Sequence, residues 1–229
     1  MAQAPYKDII DSSSFTFLVG ASKTQFTLHE GPVSCISEPL YDLMMTEPNM
    51  SDKCVHLEDV DPESFTLFTE FVYTRDYTRS PPGTVPLPDE LDGRAPEYLR
   101  HVKACVFADV YEIEDMRDLA IEYLDEYEAS GKPMYTAHVP VVVETLRLAY
   151  ENEEHELGEQ LRKKVMDFMF EHIKTLRKDD RFLELLQEIP LLFGDFWERV
   201  EGIKEAKLWV EKIPEALKGF MSHAYPKTP

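Results

Sequence analysis

Strand-like runs occur three times in this chain, and all three lie before residue 58. Phe15-Thr-Phe-Leu-Val-Gly20 and Gln25-Phe-Thr-Leu-His29 are rich in aromatic and β-branched residues. A short polar turn separates them, which is the pattern of a hairpin. Cys54-Val-His-Leu57 is the third candidate. Nearly everything beyond it has helical spacing. The chain therefore reads as a few strands at one end followed by helices, the last third being helical throughout.

The helices have readable starts. Gly31-Pro32 breaks the second strand, and Ile36, Leu40, Leu43 and Met44 suggest short helical pieces, with Pro39 opening the second. Asp61-Pro62-Glu63 is a strong start, because Asp61 can accept a backbone N–H and Pro62 fits a first turn. Phe65, Phe68, Phe71 and Val72 then share a face. From Thr78 to Pro96 five prolines and two glycines leave no room for a regular element, so this segment is expected to be an exposed loop.

Helical spacing resumes at Tyr98 and runs through Met116, Leu119, Tyr123 and Tyr127 to a stop at Gly131-Lys-Pro133. Beyond it, apolar stripes cover Val142 to Ala149, Leu161 to Leu176, Phe182 to Ile189 and Phe193 to Ile203, with Trp209 and Ile213 further on. Asp179 or Asp180 is the expected cap of the third stripe. Stripes this full call for docking on the first part of the chain. The expected organisation is a tail at 1–12, a domain at 13–130 with its loop at 78–96, and a helical extension at 131–229.

Composition narrows the function. The net charge of -20 over 229 residues opposes binding to phosphate backbones, so direct nucleic-acid binding is not expected. Cys35, Cys54 and Cys105 are odd in number and widely spaced, which argues against a disulfide framework or a thiolate zinc site. They read as buried free thiols. The first residues do not resemble a signal peptide, and the longest apolar run, Val139 to Val143, is too short for a bilayer. No membrane association is expected, and the expected compartment is cytoplasmic or nuclear.

Motifs for catalysis fail one by one. Gly20-Ala-Ser-Lys23-Thr24 lacks the glycine that a phosphate loop needs before its lysine. His155-Glu156 has no second histidine at helical spacing. His29 ends an apolar strand and reads as a hydrogen-bonded structural residue, and His172 reads as core or boundary. No G-x-S-x-G or dinucleotide loop occurs. The expectation is a protein that is not an enzyme, with no catalytic, cofactor or metal residues.

The order and wording of the elements resemble BTB/POZ domains. Phe15 to Gly20 and Phe26 to His29 resemble the opening hairpin, and Ser34 to Met45 the helix pair that follows. Val55-His-Leu-Glu-Asp-Val-Asp-Pro-Glu-Ser-Phe65 with Phe71-Val-Tyr-Thr-Arg-Asp-Tyr77 is the most specific stretch, with Arg75 where the family often has glycine. Cys105 to Ile113 and Met116 to Ala120 resemble the closing helices. The opening strand, the Pro-rich insertion and the helical tail with Lys178-Asp-Asp-Arg-Phe182 resemble the branch found in filamentous fungi.

The resemblance implies an α+β architecture, the BTB/POZ fold with a small mixed sheet flanked by helices and here an all-helical C-terminal extension, and a non-enzymatic protein-interaction module or scaffold, with other proteins as partners. Related roles are a substrate adaptor of a cullin-type ubiquitin ligase and a transcriptional regulator acting through partners. Candidate protein-binding residues near helix ends are Met44, Met45, Tyr73 and Tyr77. Leu87-Pro-Asp89 is the nearest echo of a cullin-binding motif. Ser14 and Glu30 stand where many members carry an acid and a base at the centre of a strand-swapped homodimer, so that homodimer is not expected.

Overall fold

A computed structural model describes residues 11–79, 94–129, 139–151 and 157–201. Strand β1 (Ser14–Val19) and strand β2 (Thr24–His29) form the expected antiparallel hairpin, with Phe15 opposite Leu28 and Val19 opposite Thr24. Gly20 opens the turn at φ +71°, where a Cβ would stand 3.0 Å from the Pro62 ring and 3.3 Å from the Val60 carbonyl oxygen. Both the left-handed backbone and the close approach favour glycine there.

Three short helices follow: α1 (Glu30–Ser34), α2 (Glu38–Met45) and α3 (Asn49–Asp52). They return the chain to strand β3 (Cys54–Leu57), which pairs parallel with β1. The sheet order is β2-β1-β3, so β1 is central and the other two are edges. Phe15, Phe17 and Val19 point from β1 into the core and are fully buried, while their neighbours alternate outward.

Ser37 shows how the short helices are held. Its hydroxyl oxygen accepts the Leu40 N–H (3.2 Å), capping α2, and its O–H donates to the Tyr111 carbonyl (2.7 Å). A buried hydroxyl with both roles filled avoids the cost of an unpaired polar group.

Helix α4 (Pro62–Thr74) begins as the sequence predicts: the Asp61 carboxylate accepts the Ser64 N–H (3.1 Å), and Pro62 occupies the first turn. Its apolar face meets the sheet. The Phe65 ring centre lies 5.2 Å from Phe17, 4.9 Å from Phe26 and 5.4 Å from Phe68. Helix α4 stops at Arg75, whose φ of 60° and ψ of 22° are left-handed. Non-glycine residues adopt that region at a cost, and glycine is the usual occupant of such a stop.

The rest of the described chain is helical: α5 (Arg94–Val110), α6 (Glu114–Ala129), α7 (Val139–Glu151), α8 (Leu157–Glu171), α9 (Ile173–Leu176), α10 (Asp180–Glu188) and α11 (Pro190–Glu201). Helix α5 is the hub, packing against α4, α6 and α7, and α7 in turn packs against α8, α10 and α11. One apolar cluster runs without a break from Phe15 to Val200. Tyr98 of α5 stacks on Phe168 of α8 at 4.1 Å. The helices after residue 138 therefore pack on α5 rather than stand apart from it.

Several details differ from expectation. Helix α5 starts at Arg94, inside the expected loop, because Pro96 falls in its first turn, where its missing N–H leaves no bond broken. The core of the Pro-rich stretch, 80–93, lies outside the described residues, as does Leu87-Pro-Asp89. The stripe from Leu161 to Leu176 is broken at His172, whose N–H turns to Met169 O in a tighter contact before α9 begins. Asp179, not Asp180, caps α10. The cysteines are free, but only Cys105 is buried; Cys35 is exposed and Cys54 is half-buried. Residues 1–10, Ile203, Trp209 and Ile213 lie outside the described residues.

Candidate interaction surface

Strand β2 forms one edge of the sheet, and most of its side chains are exposed or half-buried. Glu30 N–H donates to Ser13 O (2.8 Å), which makes residues 13 and 30 a hydrogen-bonded pair of the antiparallel ladder. Such pairs alternate, so residues 24, 26 and 28 turn their backbone groups toward β1 while 25, 27 and 29 turn theirs away. The outward N–H of His29 confirms this alternation: it donates to the Tyr73 hydroxyl oxygen at 3.1 Å. That hydroxyl also lies 3.0 Å from His29 Nδ1. His29 is thus the hydrogen-bonded structural residue expected.

Between β2 and α4 runs a shallow groove of about 390 Å³. Phe26, Leu28 and Tyr73 give it apolar walls, and Glu70 carries the charge among its lining residues. Tyr73 is 44% exposed, one of few large apolar side chains so open among the described residues.

The four candidate residues do not form one surface. Tyr73 lines the groove. Met45 is half-buried against the core. Met44 is fully buried, which corrects its placement as a surface candidate: it lies on the inner face of α2 with Leu40. Tyr77 is likewise buried, because the chain turns inward after Arg75 and inserts its ring between α5 and α6, 5.7 Å from His101 and 5.3 Å from Tyr123. Phe26, Thr27 and Glu70 were not among the candidates. Their residue types carry no signal of strand order, and the edge position of β2 is what makes them open.

Beneath this surface the α4–α5–α6 junction holds a dense polar cluster. Tyr77 Oη lies 3.0 Å from His101 Nδ1, and Tyr123 O–H donates to Asp76 at 2.5 Å. The Arg79 guanidinium lies over the Tyr123 ring at 3.7 Å. Burial pushes the His101 pKa below the ordinary histidine value, only partly opposed by Glu97. Burial raises the Tyr77 phenol far above its usual range.

Lys103 reaches Glu63 (2.9 Å), Asp61 (3.3 Å) and Glu144 (3.7 Å), tying the start of α4 to α7. Burial alone would lower its pKa, but Glu63 and the other carboxylates outweigh that and raise it. Burial pushes the Cys105 thiol up to about 12, so it stays protonated and unreactive near neutral pH.

Among the described residues no group of three or more His, Cys, Asp or Glu side chains is placed to hold a metal ion. Among them, too, no helix is long and apolar enough to cross a membrane. Ser14 heads β1 opposite His29, and Glu30 opens α1 with the Ser13 hydroxyl donating to it. Neither a protein-family model nor a curated protein matches the chain.

Proposed function

We propose that this protein is a BTB/POZ-like protein-interaction module, which acts by holding other proteins rather than by catalysis. The observation that carries this reading is the order of elements over residues 14–129. A hairpin, a run of short helices, a parallel third strand and a capped α4 precede the α5–α6 pair, and this is the order that the sequence resemblance implies. The open, shallow groove beside β2 suits a macromolecular partner better than a small substrate, which is usually enclosed on most sides. The charge of -20 favours protein partners over nucleic acid.

The test is native purification of the full chain from its own cells, with quantitative mass spectrometry of what comes with it. Near-stoichiometric recovery of a defined protein is the expected result, and a cullin scaffold among the recovered proteins would make the module a ligase adaptor. Recovery of the chain alone, together with turnover of a small molecule by the pure protein, would overturn the reading.

A further inference from the structure

Resting on the interaction-module reading, we infer that β2 is the docking edge, and that its occupant is an extended, basic segment of a partner protein that adds to the sheet as a fourth strand. Three observations converge on this. The first is the hydrogen-bonding pattern. Gln25 and Thr27 turn their N–H and C=O groups away from β1, a register set independently by the Ser13–Glu30 bond and by the His29 N–H bond to Tyr73. Outward backbone groups on an edge strand are a template for another extended chain.

The second is the lack of the usual protections. β2 carries no proline, no lysine and no bulge across Thr24 to His29, and its register with β1 is unbroken. Lysine, proline and bulges are the means by which edge strands are normally kept from pairing. At one end Tyr73 covers the outward N–H of His29, so pairing stops there and the open part is centred on Gln25 and Thr27. Tyr73 therefore sets where a guest strand ends.

The third is charge and shape. Side chains of a guest strand alternate between the two faces of the sheet, and those on the α4 side enter the groove beside Phe26 and Tyr73. An apolar side chain fits those walls. Glu70 supplies the charge of the groove lining, and the chain as a whole stands at -20, so a guest bearing Lys or Arg is attracted and an acidic one is repelled. The same field works against a second copy of this chain as the occupant.

The probe is a phage-displayed library of random twelve-residue peptides, panned on the full-length chain, with the recovered peptides synthesised and titrated. Recovered peptides are expected to alternate apolar and polar residues and to be enriched in Lys and Arg. On binding, the Gln25 and Thr27 amides are expected to gain protection from hydrogen exchange. Thr27→Pro removes an outward N–H without touching the ladder to β1; it is expected to weaken binding at least tenfold. Glu70→Lys is expected to weaken the preference for basic peptides.

Peptides that bind Thr27→Pro unchanged, or that protect amides elsewhere, overturn the inference. So does a dimer in sedimentation that Thr27→Pro dissolves, because the occupant is then a second copy. Should Thr27→Pro fail to fold, the exchange measurement on the unsubstituted chain still decides. If partners recovered from cells bind Thr27→Pro as well as the parent, the edge assignment fails while the interaction-module reading stands; if the chain is recovered alone and the pure protein turns over a small molecule, the module reading itself fails.

Discussion

Tyr73, in the last turn of α4, and Tyr77, just beyond its stop, lie four positions apart, yet they belong to regions that treat polar groups in opposite ways. At the β2 edge, backbone donors and acceptors face outward, and Tyr73 satisfies one of them from a position open to solvent. At the α4–α5–α6 junction, the buried Tyr77 and His101 side chains bond to each other away from water, and the buried Tyr123 reaches the exposed Asp76 at the rim of the site. The first region leaves its hydrogen-bonding capacity for a partner, at little cost while water fills it. The second uses that capacity internally, where each bond is costly to lose because water cannot replace it.

The widest gap between the regions is expected from large-to-small substitutions in the aromatic packing. Phe65→Ala removes the ring at the centre of the cluster and is expected to cost about 3–5 kcal/mol. Phe26→Ala trims a half-buried ring at the groove and is expected to cost about 1–2 kcal/mol. Urea denaturation of both variants checks this; equal losses would show that the groove wall is part of the core.

The two tyrosines allow a sharper comparison with a single substitution. Tyr77→Phe leaves His101 Nδ1 without its buried partner and is expected to cost about 1–3 kcal/mol. Tyr73→Phe leaves groups that water can reach and is expected to change stability by less than about 0.5 kcal/mol. Thermal melts of the pair would break the comparison if both lost the same.

Acid separates the regions further. The pKa of His101 in the folded state is lowered, so the unfolded chain takes up protons more readily at this position. Its contribution is fully present above the unfolded value near 6.5 and is lost progressively as pH falls below that value toward the folded-state pKa. Denaturation midpoints measured from pH 7.5 down to 5.5 are expected to fall, and His101→Gln is expected to flatten the trend. An unchanged slope in that variant would assign the loss to other groups.

The smallest expected effect is a gain. Arg75 holds a left-handed φ at the α4 stop, with its guanidinium 5.8 Å from the Phe71 ring. Arg75→Gly relieves the backbone and gives up that contact, for a net gain of up to about 1 kcal/mol. A lower denaturation midpoint for this variant would show that the contact with Phe71 outweighs the strain.

What could be read in the sequence was what short-range physics decides. The Asp61-Pro62 start of α4 was legible because a cap and a first-turn proline act within four residues. The strands were legible from their aromatic and β-branched residues and from the polar turn between the first two, which act over a few positions. The order β2-β1-β3 was not legible, since the β1–β3 pairing spans three intervening helices. For the same reason Met44 and Tyr77 could not be told from surface residues: Met44 sits near the end of α2 and Tyr77 just past the end of α4, and their burial depends on partners brought from distant parts of the chain. The Tyr77–His101–Tyr123 cluster has no local signature. The groove residues Phe26, Thr27 and Glu70 look like ordinary strand and helix positions until the edge is known.

The stack of Tyr98 on Phe168 has a consequence for how the chain is made. A ribosome delivers α5 well before α8, and at about 5–20 residues per second the delay is on the order of several seconds. Until α7 and then α8 follow, the face of α5 that awaits the α7 side chains and Phe168 lacks those partners. Transiently bare apolar surface of this kind is adhesive, so the order of synthesis makes the α5 stripe the part of the growing chain most open to unwanted contacts.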